Sequence, residues 1–198
     1  MKRWIKMARI AKSLGIVVFL FLLLGFSTRA SAQFLDCEET CTWNGEGELY
    51  QWGDPDNWSC TKPDYVPGAN DAAILSSAGT VQGVPQRVCD LSISNTILEL
   101  GTIAVRENLY WSNGGFVAAT GGGSCSVTAL RNALIGGSEM KELRGCELNL
   151  QGATRWSGGL LYMVSGSALN NEVGGTLVFD GSASFTSGIQ AGNPVNNR

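Results

Sequence analysis

The chain has 198 residues, 14 of them lysine or arginine, 17 aspartate or glutamate, and none histidine. The lack of histidine excludes Ser-His-Asp and Cys-His catalysis and any histidine metal site. With 26 glycines and only 16% charged residues, the composition suits an extracellular, turn-rich, all-β protein.

Residues 1–32 read as a secretory signal peptide. Lys2, Arg3, Lys6, Arg9 and Lys12 form a basic leader, and Leu14 to Phe26 is an unbroken apolar and glycine run. Ala30-Ser31-Ala32 supplies the small residues of a cleavage site, with Gln33 as the new N-terminus. An uncleaved anchor is the competing reading, but the run falls short of the roughly 20 residues a bilayer span takes. Cleavage removes basic side chains only, so the part from Gln33 onward is more acidic than the whole chain. That balance argues against nucleic acid and against an anionic membrane surface. The expected location is secreted or cell-surface. The expected partner is an extracellular glycan or a surface protein, with the oligomeric state left open.

All six cysteines (Cys37, Cys41, Cys60, Cys89, Cys125 and Cys146) follow the signal peptide. An even number in an exported chain implies disulfides, and six cysteines allow about 15 pairings. Zinc is disfavoured: Cys37 and Cys41 are spaced C-x3-C, but no second close pair and no histidine accompanies them. Cys60–Cys89 and, as a small local loop, Cys37–Cys41 are candidate disulfide pairings.

Residues 33–75 form a tryptophan-rich segment. It runs W-N-G-E-G-E-L-Y-Q-W-G-D-P-D-N-W-S-C from Trp43, then T-K-P-D-Y-V-P-G-A-N-D-A-A-I-L to Leu75. Asp54-Pro55 and Pro67-Gly68 are turn formers. Trp43, Trp52, Trp58 and Tyr50 have two readings: a sugar-stacking platform, or a small core that caps the first coil of a repeat stack. The cap reading expects Trp43 and Trp58 to be the most buried. Asp54, Asp56 and Asp71, with Asn57 and Asn70, are the best oxygen donors for a structural calcium ion, the only cofactor to consider. Their competing role is turn hydrogen bonding. Asn57-Trp58-Ser59 matches the N-glycosylation pattern, but Asn57 reads as structural.

From residue 76 onward, short strands with period-two patterning are separated by turns. The predicted strands are Ala72 to Leu75, Arg87 to Ser92, Thr96 to Leu100, Ile103 to Arg106, Phe116 to Ala119, Ser126 to Leu130, Glu147 to Leu150, Gly159 to Val164 and Thr176 to Phe179. Ser138 to Leu143 competes as one or two helical turns behind a capping serine. Glycine pairs at Gly114-Gly115, Gly136-Gly137 and Gly158-Gly159 recur at equal intervals, and Gly174-Gly175 follows after a shorter one. A period of about 20 residues, as here, marks a solenoid. The predicted fold is therefore a right-handed, single-stranded parallel β-helix over residues 76–198, behind the tryptophan-rich cap. Asn113, Asn132 and Asn170-Asn171 suggest turns, where asparagine tolerates left-handed backbone. Cys125 and Cys146 are separated by close to one repeat. Stacked strands lie about 4.8 Å apart, within reach of the roughly 4.4–6.8 Å Cα separation of a disulfide.

The stretch W-N-G…W-G-D-P-D-N-W…V-P-G-A-N-D-A-A-I resembles a module that opens large secreted bacterial repeat proteins. The L-x-L-x-G…W-x-G-G unit from Leu148 to Gly159 resembles the repeats of adhesin-like and filamentous-haemagglutinin-like surface proteins. The resemblance covers about residues 42 to 190. It implies an exported, β-helical, mostly non-catalytic surface protein with an adhesive or scaffold role. Unlike those proteins the chain is short, so the repeat array is expected to be incomplete.

Catalysis would have to rest on paired carboxylates. No aspartate lies between Asp90 and Asp180. Glu139, Glu142 and Glu147 cluster with Lys141 and Arg144, which reads as a solvated charged turn. No catalytic residue is assigned. A carbohydrate-binding β-sandwich using the tryptophans and a polysaccharide-acting β-helix enzyme are the alternative functions.

Overall fold

The computed structural model describes residues 37–47, 49–121, 123–180, 184–187 and 195–197. The predicted signal peptide, residues 1–32, and its predicted cleavage site lie outside them. From Cys37 onward the chain is one compact unit, an all-β solenoid of about five turns. Among the described residues, no helix is long and apolar enough to cross a membrane.

Three walls of parallel strands make up the stack. The first wall contains β9 (Cys125–Ala129), β12 (Cys146–Leu150), β15 (Ala168–Asn171) and β18 (Val195–Asn197). The second contains β3 (Ala72–Leu75), β5 (Arg87–Ile93), β10 (Asn132–Ile135), β13 (Ala153–Trp156) and β16 (Thr176–Phe179). β7 (Thr102–Trp111) belongs to both: Thr102 to Val105 pairs with β9, and Asn108 to Trp111 pairs with β10. The corner between them holds Glu107, only 3% exposed, flanked by Arg106 at 3.3 Å and Arg131 at 3.1 Å. The third wall contains β4 (Gly79–Val81), β6 (Thr96–Leu100), β8 (Gly114–Ala118), β11 (Lys141–Arg144), β14 (Leu160–Val164) and β17 (Ser184–Ser187). At the N-terminal end, β1 (Thr40–Trp43) pairs parallel with β3, and β2 (Trp58–Ser59) pairs antiparallel with β1.

Alternation along each strand sends one set of side chains inward, and stacking aligns them into rows. One inward row of the second wall is Leu75, Ile93, Trp111, Ile135, Trp156 and Phe179. On the first wall, Ile103, Val127, Leu148 and Leu169 form a fully buried row. Neither row is complete within one coil, so each coil depends on its neighbours for burial.

Three of the glycine pairs fall at the corner between the second and third walls: Gly114-Gly115 opens β8, Gly136-Gly137 follows β10 and Gly158-Gly159 precedes β14. Gly174-Gly175 lies at a different corner, before β16, so its spacing differs from the others. Gly114 has a φ of +83°, and a side chain there would stand 2.0 Å from the Thr96 carbonyl oxygen.

The structure corrects several local expectations. Ser138 to Leu143 is not helical: it bends and enters β11, with Lys141 and Leu143 inward and Glu142 outward. Pairing to β8 and β14 outweighs its local helix propensity. Asn132, Asn170 and Asn171 are strand residues, and among the described non-glycine residues the left-handed positions fall instead to Asp64, Asn95 and Ser165. β1, β2, β4, β10, β11, β13, β15, β17 and β18 are strands beyond those predicted. Two disulfide pairings also change. The bonds are Cys37–Cys89, Cys41–Cys60 and Cys125–Cys146, not Cys37–Cys41 and Cys60–Cys89. The reason is register. Thr42 faces Ser59 and Trp43 faces Trp58 across the antiparallel β1–β2 pair, which puts Cys41 opposite Cys60.

Candidate functional site

The tryptophan segment is held together from within. Trp43 and Trp58 meet edge-to-face at 5.0 Å, and Trp52 meets Trp58 at 4.6 Å. The Trp52 indole donates to the Pro67 carbonyl at 2.9 Å, and the Trp58 indole to the Trp52 carbonyl at 2.8 Å. All three are at most 6% exposed, so no indole face is open to a ligand; Tyr50 alone of the predicted platform is exposed. Asn57 is fully buried. Its amide oxygen accepts from the Gly47 N–H, and its amide nitrogen donates to the carbonyls of Leu49 and Gln51. The segment also reaches the third wall: the Trp52 N–H donates to the Gln82 carbonyl and the Gln82 N–H to the Tyr50 carbonyl.

The carboxylates considered for calcium do not converge. The Asp54 side chain accepts from the Asp56 N–H and caps the short 3-10 turn Pro55–Asn57. Asp71 is buried elsewhere, where Oδ2 accepts from the Gly68 N–H at 2.8 Å and the Tyr65 hydroxyl at 2.9 Å. That hydrogen bond, with burial, raises the Tyr65 pKa. Nearby, Glu39 accepts from the Thr61 hydroxyl and N–H beside Lys62, which lowers its pKa. Among the described residues the one close group of three acidic or thiol donors is Cys37, Cys89 and Asp90, and its two cysteines are joined as a disulfide.

The glutamate cluster is also dispersed. Glu142 points outward and pairs with Arg144, and Glu147 is exposed on β12. Lys141, expected in a solvated turn, is fully buried, and its ammonium donates to the Glu139 carbonyl at 3.1 Å. Burial lowers its pKa, an effect Glu139 partly opposes.

A groove runs along the outside of the second wall. Register stacks Ser92, Tyr110, Leu134, Arg155 and Val178 in one outward row. Beside it runs a second row of Asp90, Asn108, Asn132, Ala153 and Thr176. From Asn108 and Tyr110 onward the two rows line a groove of about 330 Å³. The polar row is ordered: Asn108 donates to Asp90 at 2.9 Å, and Asn132 to Asn108 at 3.2 Å. Arg155 is held by Asp180. In the apolar row Tyr110, Leu134 and Val178 are 43%, 42% and 51% exposed.

No known protein family, curated protein or solved structure matches the chain.

The groove therefore has to be read from its own chemistry. Its walls offer an aromatic ring, aliphatic side chains, carboxamides and one guanidinium, and among the described residues no carboxylate lines it. Such a surface can hold and orient a ligand through apolar contact and amide hydrogen bonds. Sequence reasoning missed these residues because N-L-Y-W carries no motif. The usable signal was register: once Trp111, Ile135 and Trp156 are seen as one inward row, the residue before each must stack outside.

Proposed function

We propose that the protein is an exported, non-catalytic β-helical scaffold of the adhesin-like kind, which binds an extracellular glycan or surface protein through the outer groove of the second wall. The observation that carries this reading is the outward row in which Tyr110 stacks on Leu134, with Val178 beyond Arg155. Tyr110, Leu134 and Val178 are each about half exposed on the outer face of the sheet, whereas grouped apolar side chains normally seek cover. The three disulfides suit an oxidising, extracellular setting. In this reading residues 1–32 are removed on export, and the buried tryptophans close the first coil rather than bind sugar.

The test is binding of the purified, secreted chain to arrays of immobilised glycans and extracellular surface proteins. Tyr110→Ala combined with Leu134→Ser is expected to abolish binding while the fold persists. Tyr50→Ala, in the tryptophan segment, is expected to leave it intact. N-terminal sequencing of the secreted chain is expected to begin at Gln33.

A further inference from the structure

Two cavities on the second wall meet over the same pair of side chains. The groove of about 330 Å³ and a second cavity of about 260 Å³ both have Tyr110 and Leu134 in their lining. The second cavity adds Ser92, Ser112, Gly136 and Ser157. Together they form one trench across β7 and β10, from Asn108 and Asn132 on one flank to Ser112 and Gly136 on the other. From Asn108 to Ser112 is four residues, about 13 Å at roughly 3.3 Å of rise each. β7 and β10 each have a paired strand on both sides, so this part of the trench lies within the stack.

Both flanks offer neutral hydrogen-bonding groups. On the first, Asn108 donates to Asp90 and Asn132 donates to Asn108. The next coil holds Ala153 in that row, which has no side-chain donor for the Asn132 amide oxygen. On the second flank, the Ser112 hydroxyl donates to the Ile93 carbonyl at 3.3 Å, which leaves its oxygen to accept from outside. Gly136 separates Ser112 from Ser157 in the same row. A side chain at Gly136 would stand 2.9 Å from the Ser157 hydroxyl oxygen, so glycine keeps the floor open between the two serines.

Charge narrows the class of ligand. Among the described residues no carboxylate lines either cavity. The one cation, Arg155, is paired with Asp180. An acidic ligand needs unpaired cations and a basic one needs carboxylates. Size narrows it further. A stable protein interface takes roughly 800 Å² on each partner around an apolar centre, and a trench four residues wide falls well short of that. A sugar ring fits both limits: its C–H face stacks on an aromatic ring, and its hydroxyls donate and accept around the edge.

We propose that the ligand of the second wall is an uncharged oligosaccharide, with one sugar seated on the Tyr110 ring beside Leu134. Its chain crosses the strands, so that hydroxyls on one side meet Asn132 and those on the other meet Ser112 and Ser157. Neutral-glycan recognition rests on the reading of this wall as the binding surface.

The test presents the purified chain with three immobilised sets: uncharged oligosaccharides, sulfated or uronic-acid oligosaccharides, and extracellular surface proteins. The expected result is saturable binding within the first set, unchanged between low and high salt. Tyr110→Phe keeps the ring and is expected to retain binding. Ser112→Ala combined with Ser157→Ala keeps the apolar pair and is expected to weaken binding about tenfold, through lost hydrogen bonds. Melting temperatures confirm that each variant is folded. Binding confined to acidic glycans or to proteins, and lost in the Tyr110→Ala, Leu134→Ser double variant, would overturn the neutral-glycan assignment while keeping the wall as a binding surface. Glycan binding that the double serine variant leaves unchanged would overturn it too. Binding to none of the three sets, or binding indifferent to Tyr110 and Leu134, would instead overturn the role of the wall itself.

Discussion

Cys125 and Cys146 face each other on β9 and β12, one coil apart, with Cα atoms 4.4 Å apart and sulfurs bonded. The bridge ties equivalent positions of successive coils and closes a loop one repeat long. Chain-entropy reasoning assigns such a loop on the order of 3 kcal/mol. Replacing both cysteines with alanine is expected to lower stability to urea by about 2–4 kcal/mol while keeping the strand content. Peptide mapping without reduction should recover Cys37–Cys89, Cys41–Cys60 and Cys125–Cys146 as the only linked pairs.

The five tryptophans among the described residues, Trp43, Trp52, Trp58, Trp111 and Trp156, are all nearly or fully buried. Native fluorescence is therefore expected to resist acrylamide quenching and to become quenchable only on unfolding. Quenching of a large fraction in the native state would contradict the proposed role of the tryptophan segment as a cap.

Lys141 gives a pH signature. Its folded pKa lies below the ordinary 10.5 because burial disfavours the charged form. Between the folded and unfolded values the unfolded chain binds more protons, so this group makes stability rise with pH in that window. Lys141→Met keeps the volume and removes the buried charge. It is expected to match or exceed wild-type thermal stability at neutral pH and to lose the alkaline rise. Lys141→Ala leaves a cavity and is expected to cost about 2 kcal/mol or more.

The stacked architecture was legible because its signals are local and repeated. Leu148-Asn149-Leu150 shows period-two alternation, and the glycine pairs mark one corner coil after coil. The Cys125–Cys146 spacing measures the length of a coil. What escaped was what register alone decides. The Cys41–Cys60 bond follows from how β1 and β2 pair, and no spacing along the chain reveals that. Lys141 looked solvated because its neighbours are charged, yet its place opposite Gly114 and Leu161 sends it inward. The groove residues were invisible for the same reason: Tyr110 and Leu134 lie a full coil apart in the chain and become neighbours only when β7 pairs with β10.

The groove is also where the functional account stands or falls. The most direct measurement is binding of the purified chain to immobilised extracellular glycans and surface proteins, compared with the Tyr110→Ala, Leu134→Ser double variant. The account predicts saturable binding to at least one of them, lost in the double variant while its melting temperature is retained. No binding by the wild-type chain, or binding that the double variant leaves unchanged, would contradict it.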